Sequence, residues 1–296
     1  MNVILSAIIP VGLIIFLGYV VGRTLRPDVQ SLSQISVYIL APALVADGLY
    51  QTTLSGQNVI ILLLGFGILS VLLYGLVWLI AKLFHLSPLV QKSLMATTIL
   101  PNNGNMGLSI TSFALGAAGL ERAIIYMIGS SILLFGVAPA LLKGKGFLDG
   151  IRVVLKLPLI WAMLWGISLR VFAVQLPFEI DKAIAELGRA AIPVALIILG
   201  IQLASTRLAI GKYELFAASL RLILAPFVAW VLGMALGLKG LDAQIFIIQS
   251  AMPTAVNTVV LVTEFGGDAP RVARTIVVTT LGSFLTVPFI LWLVTR

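Results

Sequence analysis

Pro101-Asn102-Asn103-Gly104-Asn105-Met106-Gly107 lies inside a run, near 88–117, that is otherwise largely apolar. Proline removes a backbone donor and clashes with the preceding helical turn. Asparagine side chains compete with the helix for backbone hydrogen bonds. With Gly104 among them, the stretch predicts a helix that unwinds and starts again. A second stretch, Met252-Pro253-Thr254-Ala255-Val256-Asn257-Thr258, interrupts the run 241–265 in the same manner. Unwound backbone at membrane depth is tolerated only where protein buries it or it lines a watery cavity. The two breaks therefore mark a site.

The rest of the chain supplies the membrane. Of 296 residues, 60% are apolar and 10% charged, with mean hydropathy +1.14. A soluble domain has about 45–50% apolar and about 25% charged residues, so a soluble enzyme is excluded. Roughly 20 apolar residues span a bilayer. Apolar runs divided at charges and at Gly or Pro give ten spans, near 3–22, 31–50, 58–81, 88–117, 123–142, 157–174, 185–204, 214–237, 241–265 and 275–295. The expected fold is an all-α polytopic membrane protein. The first span lacks the basic start and small-residue end of a signal peptide. With no cysteine, disulfides and thiolate metal sites are excluded.

Charge orients the spans. Twelve Lys and Arg, among them Lys143, Lys145, Arg152 and Lys156, fall in one set of loops, against six in the other. Cytoplasmic loops carry the basic excess, so both termini are expected outside a cell (inner) membrane and the 143–156 loop in the cytoplasm. The net charge of +8 then belongs to membrane topology and not to a nucleic-acid partner.

The halves repeat. Pro10, Gly18, Pro27 and Pro42 fall opposite Pro158, Gly166, Pro177 and Pro193, and Pro101, Asn105, Phe113 and Arg122 opposite Pro253, Asn257, Phe265 and Arg274. Each repeat holds an odd number of spans, so the second enters the membrane inverted, an architecture common in secondary transporters. The divisions expected are 1–142, the short loop 143–156, and 157–296.

In each repeat the broken span restarts near Asn102–Asn105 or Thr254–Asn257. Helix N-termini present free amides and a positive dipole end. A carboxylate between two such ends would meet Asn102, Asn103, Asn105, Thr254, Asn257 and Thr258, beside Pro101 and Pro253. A simpler reading is two proline kinks with asparagine joining neighbouring helices. Ionisable groups at depth are functional candidates because burying them is costly. Asp47 and Glu264 are candidates for proton or ion coupling, against an interfacial acid and a solvated helix end. Gln202 and Gln249 either line the site or join helices. Arg221 is expected to snorkel to the cytoplasmic side, with attraction of an anion as the alternative, and His85 to be interfacial, with a pH sensor as the alternative.

The stretches 101–107 and 252–258, with Ala41-Pro42-Ala43-Leu44, resemble the auxin efflux carrier family, which includes plant auxin exporters and many bacterial relatives. The resemblance spans essentially the whole chain. It implies ten spans, with spans 4 and 9 crossing near the membrane midplane at their prolines in a mobile domain of spans 3–5 and 8–10. Spans 1, 2, 6 and 7 would form a scaffold and the contact of a homodimer. Asn105 and Asn257 would face the substrate carboxylate. The long regulatory segment of plant members has only 143–156 in its place here. The fold is also similar to that of bile-acid sodium symporters.

Enzyme signatures fail. The sequence has no metal-binding H-E-x-x-H, no phosphate-binding Gly-rich loop with Lys, and a single histidine. Gly266-Gly267-Asp268 superficially resembles intramembrane aspartyl proteases, but Phe265 stands where their first glycine belongs. No catalytic residue, cofactor or metal is expected; the partners expected are lipid and a small organic anion. The expected function is a secondary carrier of an organic carboxylate, an auxin such as indole-3-acetate or a dicarboxylate, by alternating access. A monoanion leaving a negative interior gains about 2.3 kcal/mol per 100 mV, so efflux needs no coupling ion. Sodium or proton coupling, and an anion channel on the same repeat, are the alternatives.

Overall fold

The computed structural model describes residues 2–137, 152, 154–206 and 208–296. Their helices are α1 (Asn2–Thr24), α2 (Val29–Tyr50), α3 (Gly56–Leu83), α4 (Pro88–Ile99), α5 (Asn103–Val137), α6 (Pro158–Val171), α7 (Ile180–Ser205), α8 (Lys212–Ala235), α9 (Gly240–Ser250), α10 (Thr258–Phe265) and α11 (Ala269–Val294). Seven helical runs are long and apolar enough to cross a membrane, and α6 is a shorter apolar helix. Among the described residues there is no strand, only one isolated antiparallel bridge. The protein is an all-helical polytopic membrane protein.

Local chemistry sets the ends. Asp28 accepts the amides of Gln30 and Ser31 at 3.2 and 3.1 Å, and Ser55 accepts that of Asn58 at 3.2 Å. The Ser31 hydroxyl and these amides hold the Asp28 carboxyl below its ordinary pKa. Asp268 caps α11 through the Arg271 amide at 3.0 Å. Each cap satisfies amides that have no partner within the helix. Widened π-type turns, Ser36–Leu40 and Leu220–Leu224, precede Pro42 and Pro226. They absorb the missing donor and crowded carbonyl that proline brings to a helix interior.

One boundary departs from the sequence expectation. A loop between runs ending near 117 and starting near 123 is absent; α5 reverses at Gly116 alone (φ 64°, ψ −158°). A Cβ on Gly119 would touch Leu115 and Thr111, which shows the chain doubling back. Glycine supplies the positive φ without a side-chain penalty. The expected segment 138–142 and most of the 143–156 loop lie outside the described residues.

Helices α1, α2, α6 and α7 pack on one another. Their backbones approach where side chains are missing: Gly18 and Gly200 between α1 and α7, Gly166 against Ala46, Gly188 against Leu44. Close approach at small residues lets van der Waals contact replace the hydrophobic drive that lipid removes. A Cβ on Gly200 would strike the Ile15 carbonyl and the Tyr19 amide. Gly200→Ala is therefore expected to destabilise the detergent-solubilised protein by about 1–3 kcal/mol in unfolding measurements. Gly75→Ala, with nothing within 4 Å, is expected to melt no lower than the parent.

Candidate functional site

The chain is non-helical across Leu100–Asn102 and again across Ala251–Asn257, and the two interruptions lie against each other. The Asn102 amide donates to the Pro253 carbonyl at 2.7 Å, and the Ala255 amide donates to the Leu100 carbonyl at 2.9 Å. Pro101 and Thr254 face each other between these bonds as one antiparallel pair. Pro253 has no N–H to return a bond to Asn102, and the Leu100 amide still donates to Ala96 in α4 at 3.2 Å. The bridge therefore stops at a single pair. The Thr254 amide reaches Thr279 Oγ1 at 3.2 Å, and its hydroxyl donates to the Thr97 carbonyl at 2.8 Å.

Arg221 completes the crossing, which corrects the expectation that it snorkels to the surface. Its side chain is 1% exposed. Nε donates to the Met252 carbonyl at 2.8 Å, Nη1 to the Thr98 carbonyl at 2.5 Å, and Nη2 to the Ser250 carbonyl. Thr98 lies in the last turn of α4, Ser250 ends α9, and Met252 follows two residues beyond it. The guanidinium thus binds carbonyls that helix ends leave unpaired, at their negative dipole poles. The widened turn Leu220–Leu224 before Pro226 carries this arginine. The available sequence signal was an arginine inside an apolar span, five residues before a proline.

Beyond the bridge the chain restarts as α5 and α10. In α5 the first amide bonded within the turn is that of Met106, to the Asn102 carbonyl at 3.2 Å. The amides of Asn103, Gly104 and Asn105 precede it and form the positive end. A cavity of about 130 Å³ meets this end. Asn102, Asn105 and Asn257 line it together with Pro101, Gly104 and Ala255. Asn102 is 4% exposed, and its Nδ2 has no hydrogen-bond partner among the described residues. Apolar walls come from Leu44, Met127, Leu134 and Phe135, with Ser130 and Ser131 among them. The cavity extends toward Phe135 and Leu157, the end of the bundle where the 138–157 connection starts and finishes.

The other predicted residues separate from this group. Asn103 is buried beside the cavity, with neither side-chain atom partnered among the described residues, and Thr258 is fully buried at the start of α10. Gln249 joins α9 to α5 by donating to Thr111 Oγ1 at 2.8 Å, packed where Gly107 leaves room. Gln202 lies half-buried on α7, and Glu264 is exposed near the end of α10. Asp47 accepts from Gln51 Nε2 at 2.6 Å and faces Asp181 across a separate shallow pocket at the opposite end of α2. That end is tied by polar contacts. Asp242 accepts from Arg122 and from Asn58 Nδ2, the latter at 2.5 Å, and Glu121 accepts from Thr52 and Thr53.

Fold and crossing together define a helical membrane protein whose broken helices meet beside a cavity lined in part by asparagines. The sequence pattern of the family described as membrane transport protein matches residues 3–146 and 151–291. The chain therefore belongs to that family, the auxin efflux carriers, as the motifs indicated. It is 28% identical over 296 residues to an uncharacterized transporter of Methanothermobacter thermautotrophicus, covering 97% of this chain and 96% of that one. It is 28% identical over 302 residues to an uncharacterized transporter of Methanocaldococcus jannaschii, covering 98% of each. A putative malonate transporter of Rhizobium meliloti is 25% identical over 313 residues, covering 98% of this chain and 96% of its own.

The bridge can be tested covalently, because the chain has no cysteine of its own. Opposed residues in such a pair have Cα atoms about 4.5 Å apart, within disulfide reach. The double variant Pro101→Cys, Thr254→Cys is expected to cross-link on mild oxidation. With a protease site placed in the 143–156 loop, the cut halves then stay together on a non-reducing gel. Halves that separate contradict the crossing.

Proposed function

We propose that this protein is a secondary carrier of small organic carboxylates, working by alternating access, and not an enzyme or a channel. The observation that carries the reading is the antiparallel pair of Pro101 and Thr254. It sets the starts of α5 and α10 side by side, with Asn102, Asn105 and Asn257 around one cavity. Helix N-termini stabilise anions through unpaired amides and the dipole. Asparagine amides add donors without a second buried charge.

In this reading the chain crosses the membrane ten times as two inverted five-span repeats. The seven long runs are joined by α6, by the second arm of α5 after Gly116, and by α9 with α10 as one broken span. Spans 1, 2, 6 and 7 form a scaffold that pairs two copies as a homodimer. Spans 3–5 and 8–10 move as the transport domain. The excess of basic residues in one set of loops supports a cytoplasmic 143–156 connection with both termini outside the cell membrane, and on this topology the cavity faces inward. The polar ties of Arg122, Asp242, Asn58 and Glu121 then lie on the outer side.

The relative named for malonate makes a short-chain dicarboxylate the first substrate to test, with indole-3-acetate beside it. Proteoliposomes on a solid-supported membrane are expected to give saturable currents with one of these acids, with potassium replacing sodium at no loss. Large unitary currents without saturation would point to a channel. A hydrogen bond to a charged group contributes about 1.5–3 kcal/mol, so Asn105→Ala and Asn257→Ala should each raise the half-saturating concentration about tenfold or more. Their melting temperatures should stay near that of the parent. Unchanged affinity in both folded variants would remove the asparagines from the site.

A further inference from the structure

Two negative and two positive helix poles meet at the crossing. The ends of α4 and α9 point their carbonyls into it, and the starts of α5 and α10 their amides. Each pole carries roughly half an elementary charge, so an anion placed there would feel attraction and repulsion nearly cancel. Arg221 changes this sum. Its guanidinium is fully buried and spends its hydrogen bonds on Thr98, Ser250 and Met252, all backbone carbonyls of the two negative poles. It is not among the residues lining the cavity.

We propose that Arg221 is a captive cation of the crossing: it neutralises the C-terminal poles of α4 and α9, and so takes the part an exchangeable coupling cation would otherwise play. The inference rests on the carboxylate reading above and extends it. With the negative poles satisfied, the starts of α5 and α10 act unopposed, and the crossing carries about one net positive charge. One carboxylate group of the substrate then balances the charge at the crossing without sodium. Arg221 is a positioning residue: it acts through the two helix ends and does not touch the substrate.

Removing the side chain leaves a cation-sized space bounded by three carbonyl oxygens. The test uses the full-length protein, purified in detergent, and follows thermal melting with millimolar guanidinium chloride or the same concentration of choline chloride. Arg221→Ala is expected to melt below the parent and to regain about 4 °C or more with guanidinium alone, because a ligand of the folded state raises its stability. The parent, whose site is filled, is expected to show no such gain. Equal melting of Arg221→Ala in both salts would overturn the proposal.

If Arg221→Ala does not fold, Arg221→Lys and Arg221→Gln separate charge from hydrogen bonding. Lysine keeps a cation at the carbonyls and is expected to retain anion affinity in potassium. Glutamine keeps donors without charge and is expected to lose affinity about tenfold or more. Equal affinities for the two would show that hydrogen bonding alone matters and overturn the proposal. So would a parent protein whose transport requires sodium. The melting test needs no substrate, so it stands or falls separately from the transport reading.

Discussion

Inside a bilayer a backbone polar group cannot turn to water, and this constraint organises the molecule. Two helical runs are interrupted where they lie against each other, and each interruption supplies what the other lacks. The Asn102 amide finds Pro253, the Ala255 amide finds Leu100, and the prolines sit where a donor is not needed. The carbonyls of Thr98, Ser250 and Met252 at these breaks are held by Arg221. Satisfying the breaks internally leaves the restarting helices free to present amides to a cavity.

The same economy divides the bundle. Helices α1, α2, α6 and α7 approach through glycines whose missing side chains let backbones touch. On the other side, buried threonines and serines bond to carbonyls of their own helices, and Gln249 and Thr254 bond across elements. One part is held by close packing and the other by polar contacts around the breaks. The cavity lies where the two parts face each other.

Much of this was legible in the chain. Apolar runs of spanning length, and prolines with asparagines inside two of them, marked the helices and their breaks because each deviation has a local backbone cost. The break between the runs ending near 117 and starting near 123 is legible in the sequence, but its form is not: the chain turns at Gly116 alone, because one glycine with positive φ does what a loop was expected to do. Arg221 was misread for a different reason. Its partners are backbone carbonyls of residues far along the chain, and a carbonyl has no sequence signature. About two turns into its span, the arginine has the cytoplasmic surface within reach of a long side chain, which gives the snorkelling reading. For Gln249 the sequence leaves lining the site and joining helices both open, and Thr111 as its partner can be assigned only in three dimensions.

Hydrogen–deuterium exchange at the crossing, with and without a saturating carboxylate selected by transport, tests the central claim most directly. An anion held between the two restarting helices should slow exchange at Asn103–Asn105 and at Val256–Thr258 together, with little change at the opposite end near Asp47. Protection confined to one of the two segments, or falling only elsewhere in the bundle, would contradict a shared site at the crossing.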